Sequence, residues 1–211
     1  MSKPHYWDEA IRALAARDVV LGRLIAEYPG LHLTRRGDPF TTLARAIVGQ
    51  QISVKAAQTI WERLLKACGA GERGPLDPLR VQRKRVTTLR KCGLSERKAE
   101  YIRDLARHFA SARLDPRVWP ELDDEALIEA LVDVKGIGRW TAEMFLMFHE
   151  LRANVLPVDD IGLQKAVALH YLEGRRPTLG ELRAIAERWQ PYRSVATWYL
   201  WRSLDPIPVE Y

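Results

Sequence analysis

The chain has 211 residues, 47% of them hydrophobic and 28% charged, which is enough to bury a sizeable core as one domain or two interlocked lobes and excludes a disordered chain. Two cysteines, Cys68 and Cys92, exclude a disulfide framework, and no Cys/His cluster has zinc or iron–sulfur spacing. The amino-terminal stretch MSKPHYWDEAIRALAARD has no apolar signal core and no run of about eighteen apolar residues follows, so a cytoplasmic or otherwise intracellular protein is expected, with a net charge of +6.

In chain order, helical periodicity runs over residues 7–16, 20–28, 41–49, 53–68, 78–90, 96–112, 123–134, 139–148, 160–172, 178–189 and 193–203. The breakers between them are Pro29-Gly30, Gly37-Asp38-Pro39, the stretch 69–75, Pro116 and the stretch 174–177. Only 31–34 and 155–158 read as extended, too little for a sheet, so the fold class is all-α. The histidines, at 5, 32, 108, 149 and 170, form no pair with Ser or Cys at a catalytic spacing and read as surface or core residues.

The junction between the helices at 123–134 and 139–148 is rich in chemistry. Gly136 and Gly138 flank Ile137, allowing a tight turn and close backbone approach to a ligand. The following helix begins near Arg139, so amides around Gly136, Gly138 and Thr141, with Lys135 beside them, form a candidate phosphate site. GLSERKAE (93–100) aligns without a gap on GIGRWTAE (136–143), which suggests a second grip carrying Ser95 and Lys98, with internal duplication of a packing unit as the competing account. This first copy lies in a basic stretch: residues 80–107 hold ten Lys and Arg against three Asp and Glu, net +7 in a chain of +6. Charge gathered in this way fits a polyanion partner, although a solvated helix face is the commoner cause of a charge run.

VKGIGRWTAEMFLMF, VLPVDDIGLQKAV, RAIVGQQISVKAAQTI and AERWQPYRSVATWYLW together resemble the helix-hairpin-helix DNA glycosylases, most closely the DNA-3-methyladenine glycosylase II branch of alkylation repair, over residues 38–203. The resemblance implies a two-lobed fold with the active site in the interlobe cleft. One lobe, a helical barrel, would span about 38–150; the other would combine 1–37 with 151–211. The larger relatives carry an amino-terminal β domain that this chain is too short to contain, so its pocket contacts would be either missing or replaced, with Tyr6 or Trp7 as the candidates to replace them.

The implied chemistry is base-excision hydrolysis of the N-glycosidic bond of alkylated purines, 3-methyladenine and 7-methylguanine, in double-stranded DNA, after the nucleotide is flipped out of the stack. Asp160 is the implied catalytic carboxylate, stabilising an oxocarbenium-like state or activating water. The family's catalytic Asp has an aliphatic residue three positions on, which fits Asp160 with Leu163 and not Asp159 with Gly162. Helix capping is the other reading of either acid, and one of the pair is expected to do only that. Trp140 stands where bifunctional relatives have a Schiff-base lysine, so the enzyme would be monofunctional. Trp140 and Trp201 would wall the base pocket, with Met144 and Ile161 where relatives often have tyrosines; stacking a cationic base on indole gains about 0.5 to 2 kcal/mol. Trp61, Trp119, Trp189 and Trp198 read as packing residues. Gln51 occupies the wedge position beside Gln50, though both glutamines also fit a purely structural loop role.

A monovalent Na+ or K+ on the main-chain carbonyls of Val132, Val134 and Ile137 is implied, with no cofactor required, no iron–sulfur cluster and a monomeric enzyme. A catalytically silent DNA-binding module, or a glycosylase for another lesion class, remains the alternative.

Overall fold

The computed structural model describes residues 3–35, 37–71 and 74–204. Residues 72 and 73 of the 69–75 break and 205–211 of the second expected lobe lie outside them. The helices are α1 (Trp7–Arg17), α2 (Val19–Glu27), α3 (Pro39–Gly49), α4 (Val54–Ala67), α5 (Pro78–Gln82), α6 (Val86–Lys91), α7 (Glu96–Ala110), α8 (Asp124–Val132), α9 (Arg139–Phe148), α10 (Ile161–Tyr171), α11 (Leu179–Ala186) and α12 (Arg193–Leu204). Short 3-10 turns cover Trp119–Glu121 and Glu187–Trp189. Among the described residues there is no strand, so the chain is all-α.

Most helices start where a polar side chain can cap them. Asp18, Asp38, Ser53, Asp77, Ser95, Asp123, Asp160 and Thr178 each accept a hydrogen bond from a first-turn amide, and Thr178 with Glu181 completes a capping box. Pro39 and Pro78 follow their caps directly, where a missing N–H costs nothing. The single helix expected over 78–90 is instead two, α5 and α6. Arg85 is extended between them (ψ 148°), and the run Arg83-Lys84-Arg85 before β-branched Val86, Thr87 and Thr88 is a poor helix interior.

The chain divides into two compact units: one built from both chain ends, up to Arg35 and from Leu146, the other from Arg36–Phe145. In the first, Leu14, Leu21, Leu24, Leu163, Val167, Leu182, Trp189, Val195 and Tyr199 share one core. Trp7, proposed above as a pocket residue, is only 2% exposed and packs edge-on against Trp198. Tyr6 is also tied down, its hydroxyl donating to the Leu151 carbonyl at 2.7 Å. Asp18 joins the two halves of this unit. Its Oδ1 accepts from the Val20 and Leu21 amides, and its Oδ2 accepts from the Tyr171 hydroxyl (2.9 Å) and Trp189 Nε1 (3.1 Å).

In the second unit α7 is central, packing against α3, α5 and α6. An edge-to-face series, Phe40–Phe109–Trp119–Phe145, with centroids 5.3, 6.1 and 5.5 Å apart, runs through its core. Among the described residues, no helix is long and apolar enough to cross a membrane.

Candidate functional site

The glycine turn is a helix-hairpin-helix, with α8 and α9 as its arms. Gly136 has φ +87°, and a Cβ there would fall 2.2 Å from the Tyr101 ring of α7. Glycine is thus required twice, for its backbone angle and for the ring that packs against it. Asp104 Oδ2 accepts from the Lys135 amide at 2.9 Å. The His108 ring bridges the Asp104 carbonyl (2.9 Å) and the Asp133 carboxylate (3.1 Å). From the loop after α3, Gln50 Nε2 donates to the Gly136 carbonyl at 2.9 Å. The turn is therefore braced from α7 by Tyr101, Asp104 and His108, none of which the sequence singled out. Their spacing, 101, 104 and 108, is one face of a helix and was the available signal.

The turn's polar groups divide into spent and outward ones. The Ile137 amide is spent on the Val134 carbonyl at 3.1 Å, and the Ile137 side chain is buried. The amides of Gly136 and Gly138 make no hydrogen bond among the described residues, and Lys135 is exposed. Thr141 lies half-buried in the first turn of α9, where amides point out along the helix dipole.

The duplicated copy has the same backbone plan, with Gly93 at φ +105° between α6 and α7. Its polar groups, however, turn inward. The Ser95 hydroxyl caps α7 through the Lys98 amide. The Lys98 ammonium, expected at a phosphate, donates instead to the carbonyls of Val48 (2.8 Å) and Gln50 (2.6 Å), and burial lowers its pKa. Lys98 and Gln50 thus shape the 50–53 loop. At the tip of that loop Gln51 is exposed at φ +57°, a left-handed conformation rare for a residue with a Cβ.

The second cluster lies in the unit made from the chain ends. Asp160 is the N-cap of α10, so the acid nominated for catalysis is also the capping acid; Asp159, expected as an alternative cap, is exposed in the preceding turn. Asp160 Oδ1 accepts from the Leu163 amide at 2.6 Å and from Trp201 Nε1 at 2.8 Å. The Trp201 indole stacks on Phe148, centroids 5.9 Å apart and planes within 13°. Gly162 makes the arrangement possible, since a Cβ there would stand 3.0 Å from both Asp160 Oδ1 and Trp201 Nε1. A carboxylate clamped by an amide and an indole, half-buried rather than sealed, can face a developing positive charge without reorganising.

The remaining pocket candidates differ in accessibility. Of seven tryptophans, five are buried, whereas Trp140 is 40% exposed and Trp201 half-buried. Ile161, next to Asp160, is 64% exposed. Met144 is only 9% exposed, so it packs more than it presents a surface. Among the described residues, no group of three or more His, Cys, Asp or Glu is placed to hold a metal ion.

Residues 44–191, which contain the hairpin and the Asp160 corner, match the family model described as HhH-GPD superfamily base excision DNA repair protein. The chain belongs to the HhH-GPD superfamily of base excision DNA repair proteins. Among solved HhH-GPD-like structures, it is similar to a DNA-3-methyladenine glycosidase from Bacillus halodurans (35% identity, 97% of this chain and 93% of that one, TM-score 0.88). It is also similar to the Schizosaccharomyces pombe 3-methyladenine DNA glycosylase in complex with abasic DNA (29% identity, 92% and 96% of the two chains, TM-score 0.78). The Bacillus subtilis protein YfjP is 32% identical over 188 residues, 88% of this chain and 66% of YfjP, so the HhH-GPD chain spans just under two thirds of that relative's length.

Proposed function

We propose that the protein is a monofunctional DNA glycosylase that excises alkylated purines, 3-methyladenine and 7-methylguanine, from double-stranded DNA. The reading rests on one observation above all, the Asp160 carboxylate held on one oxygen by the Leu163 amide and the Trp201 indole. The names of the similar proteins from Bacillus halodurans and Schizosaccharomyces pombe support it. Residues 36–145 would grip the DNA backbone through Lys135, the outward amides of Gly136 and Gly138, and Thr141, with Gln51 filling the gap left by the flipped nucleotide. The unit from the chain ends would carry the carboxylate.

Methylation at N3 or N7 gives the purine a positive charge, so the C1′–N bond breaks with its electron pair going to the base, which leaves neutral. The sugar becomes oxocarbenium-like opposite Asp160; water then adds to C1′ and loses a proton, leaving an abasic site. Trp140 and Trp201 would offer indole faces to the cationic base, with Ile161 at the pocket edge. Trp140 carries no amine for a Schiff base, so no strand cleavage follows. The Val132 and Ile137 carbonyls accept no hydrogen bond among the described residues, which suits a monovalent cation there, with Val134 completing the set. Such a cation would offset phosphate charge at the hairpin.

Free bases released from methylated duplex DNA, resolved by chromatography for wild type and Asp160→Asn, test the reading. Release of 3-methyladenine or 7-methylguanine by wild type is expected, with the variant slower by about 100- to 1000-fold and still able to bind abasic DNA. No release by wild type, with binding retained, would overturn it. Borohydride should trap no covalent enzyme–DNA adduct.

A further inference from the structure

Away from the glycine turn, the same unit carries a basic groove that the proposed reaction does not use. It has a volume of about 400 Å³, and Lys66, Cys68, Gly69, Arg80, Arg83 and Lys84 line it. Four of these are cations and no described lining residue is acidic. Arg80 is partly occupied, donating to the Gly69 carbonyl at 2.7 Å with Asp77 3.5 Å away. The side chains of Lys66, Arg83 and Lys84 make no hydrogen bond or ion pair among the described residues.

Four arginines elsewhere are closely paired: Arg117 with Asp115 at 2.7 Å, Arg139 with Glu125 at 2.5 Å, Arg175 with Glu181 at 2.7 Å and Arg193 with Glu187 at 2.5 Å. A helix C-terminus favours one nearby cation, which accounts for Lys66 at the end of α4 but not for four converging. Like charges gathered without a counter-charge repel one another, so an anion must recover that cost for the arrangement to serve a purpose.

A second groove, of about 290 Å³, links this surface to the hairpin. Gln82, adjacent to Arg83, lines it together with Arg103, Arg107 and Lys135. Two carboxylates, Glu100 and Asp104, share that lining with the three cations, and Asp104 is already committed to Arg107 and to the Lys135 amide. A basic track thus runs from Lys135 across α7 and α5 to Lys84 and Lys66.

We propose that this track is a second DNA surface, binding phosphates of the duplex that flanks the lesion beyond the contacts of the hairpin. The proposal rests on the reading of the protein as DNA-binding and adds a footprint to it. Each phosphate neutralised on duplex DNA releases counterions and adds about 0.9 to the slope of log affinity against log salt.

The test measures that slope by equilibrium binding to abasic-site duplexes with the site at the centre, one of about 10 base pairs, a single helical turn, and one of about 30. The triple variant Lys66→Gln/Arg83→Gln/Lys84→Gln should lower the slope by about 2 to 3 on the long duplex and leave it unchanged on the short one. Lys135→Gln, at the hairpin, should lower it by about one on both. The charge-retaining set Lys66→Arg/Arg83→Lys/Lys84→Arg should keep the wild-type slope, which separates charge from damage to the fold; thermal melting of the triple variant provides the same check.

A wild-type slope for the triple variant on the long duplex, or an equal loss on both lengths, overturns the proposal. An acidic protein partner on this surface would give the first of these results. Failure of Lys135→Gln to change either slope would instead count against the hairpin as a DNA grip.

Discussion

Two corners of the unit made from the chain ends have the same local design and opposite accessibility. Asp18 caps α2 and Asp160 caps α10, and each also accepts an indole N–H from far along the chain, Trp189 in one case and Trp201 in the other. Asp18 is 3% exposed, and the Tyr171 hydroxyl adds a further donor. Asp160 is only half-buried, beside exposed Ile161. Capping is common to the two acids; what separates them is access. Enclosed, the motif joins two chain segments; opened to solvent, it leaves a carboxylate that a ligand can reach.

Exchanging the two acids for neutral residues gives the largest contrast. Asp160→Asn keeps a good cap, so its melting temperature should match wild type while base release falls by about 100- to 1000-fold. Asp160→Ala should lose the same activity and about 1 kcal/mol of stability as well. Asp18→Ala should do the reverse. Removing a buried acceptor strands the Tyr171 hydroxyl, the Trp189 indole N–H and two amides, and denaturant unfolding should read a loss of about 3 to 5 kcal/mol. Equal melting temperatures for Asp160→Ala and Asp18→Ala would end the comparison.

Smaller changes sharpen it at the Asp160 corner. Gly162→Ala brings a methyl to 3.0 Å from both Asp160 Oδ1 and Trp201 Nε1, so kcat should fall by about 10-fold or more through displacement of the carboxylate. Trp201→Phe retains a ring to stack on Phe148 but removes the N–H; a fall of several-fold in kcat, on the order of 1 kcal/mol, with abasic-DNA affinity little changed, is expected.

The smallest effect concerns His170, on the α10 that Asp160 caps. Its Nδ1 accepts from Arg23 (3.2 Å) and its Nε2 donates to Ser203 (2.7 Å). Burial, then the Arg23 guanidinium, lower its pKa below the usual 6.5, with Glu27 opposing. The charged ring is disfavoured in the folded state, so the folded chain binds fewer protons than the unfolded one. Stability is then full above the ordinary value and is lost as pH falls through the lowered one. Melting curves from about pH 7 to pH 5 should show this decline, flattened in Arg23→Gln.

Much of the helical frame was legible because its starts are chemically marked: Asp38-Pro39, Ser53, Asp77-Pro78, Ser95 and Thr178 with Glu181 all precede helices. The glycine turn at 136–138 was legible for the same reason, since few residues tolerate φ +87°. The break between α5 and α6 was hidden because apolar Val81 and Leu89 continue a helical rhythm across it. Lys98 misled because a lysine near a glycine turn looks like a phosphate ligand, and only the fold reveals the carbonyls of Val48 and Gln50 within its reach. The bracing face of α7 reads as a solvated polar stripe until Asp104 and His108 are seen to be buried. Trp201 was nominated as a pocket wall, but its bond to Asp160, 41 positions away, has no local signature.

Building one unit from the two chain ends also imposes an order of assembly. Residues 36–145 are contiguous and have their partners as soon as they leave the ribosome. Residues 3–35 do not, because Asp18 awaits Tyr171 and Trp189, 153 and 171 positions later. The Asp160 corner is completed later still, with the indole at 201. On the proposed reading, the unit that grips DNA is finished early in synthesis and the unit that carries the carboxylate is finished last, so a nascent chain would occupy a duplex before it had the means to open a glycosidic bond.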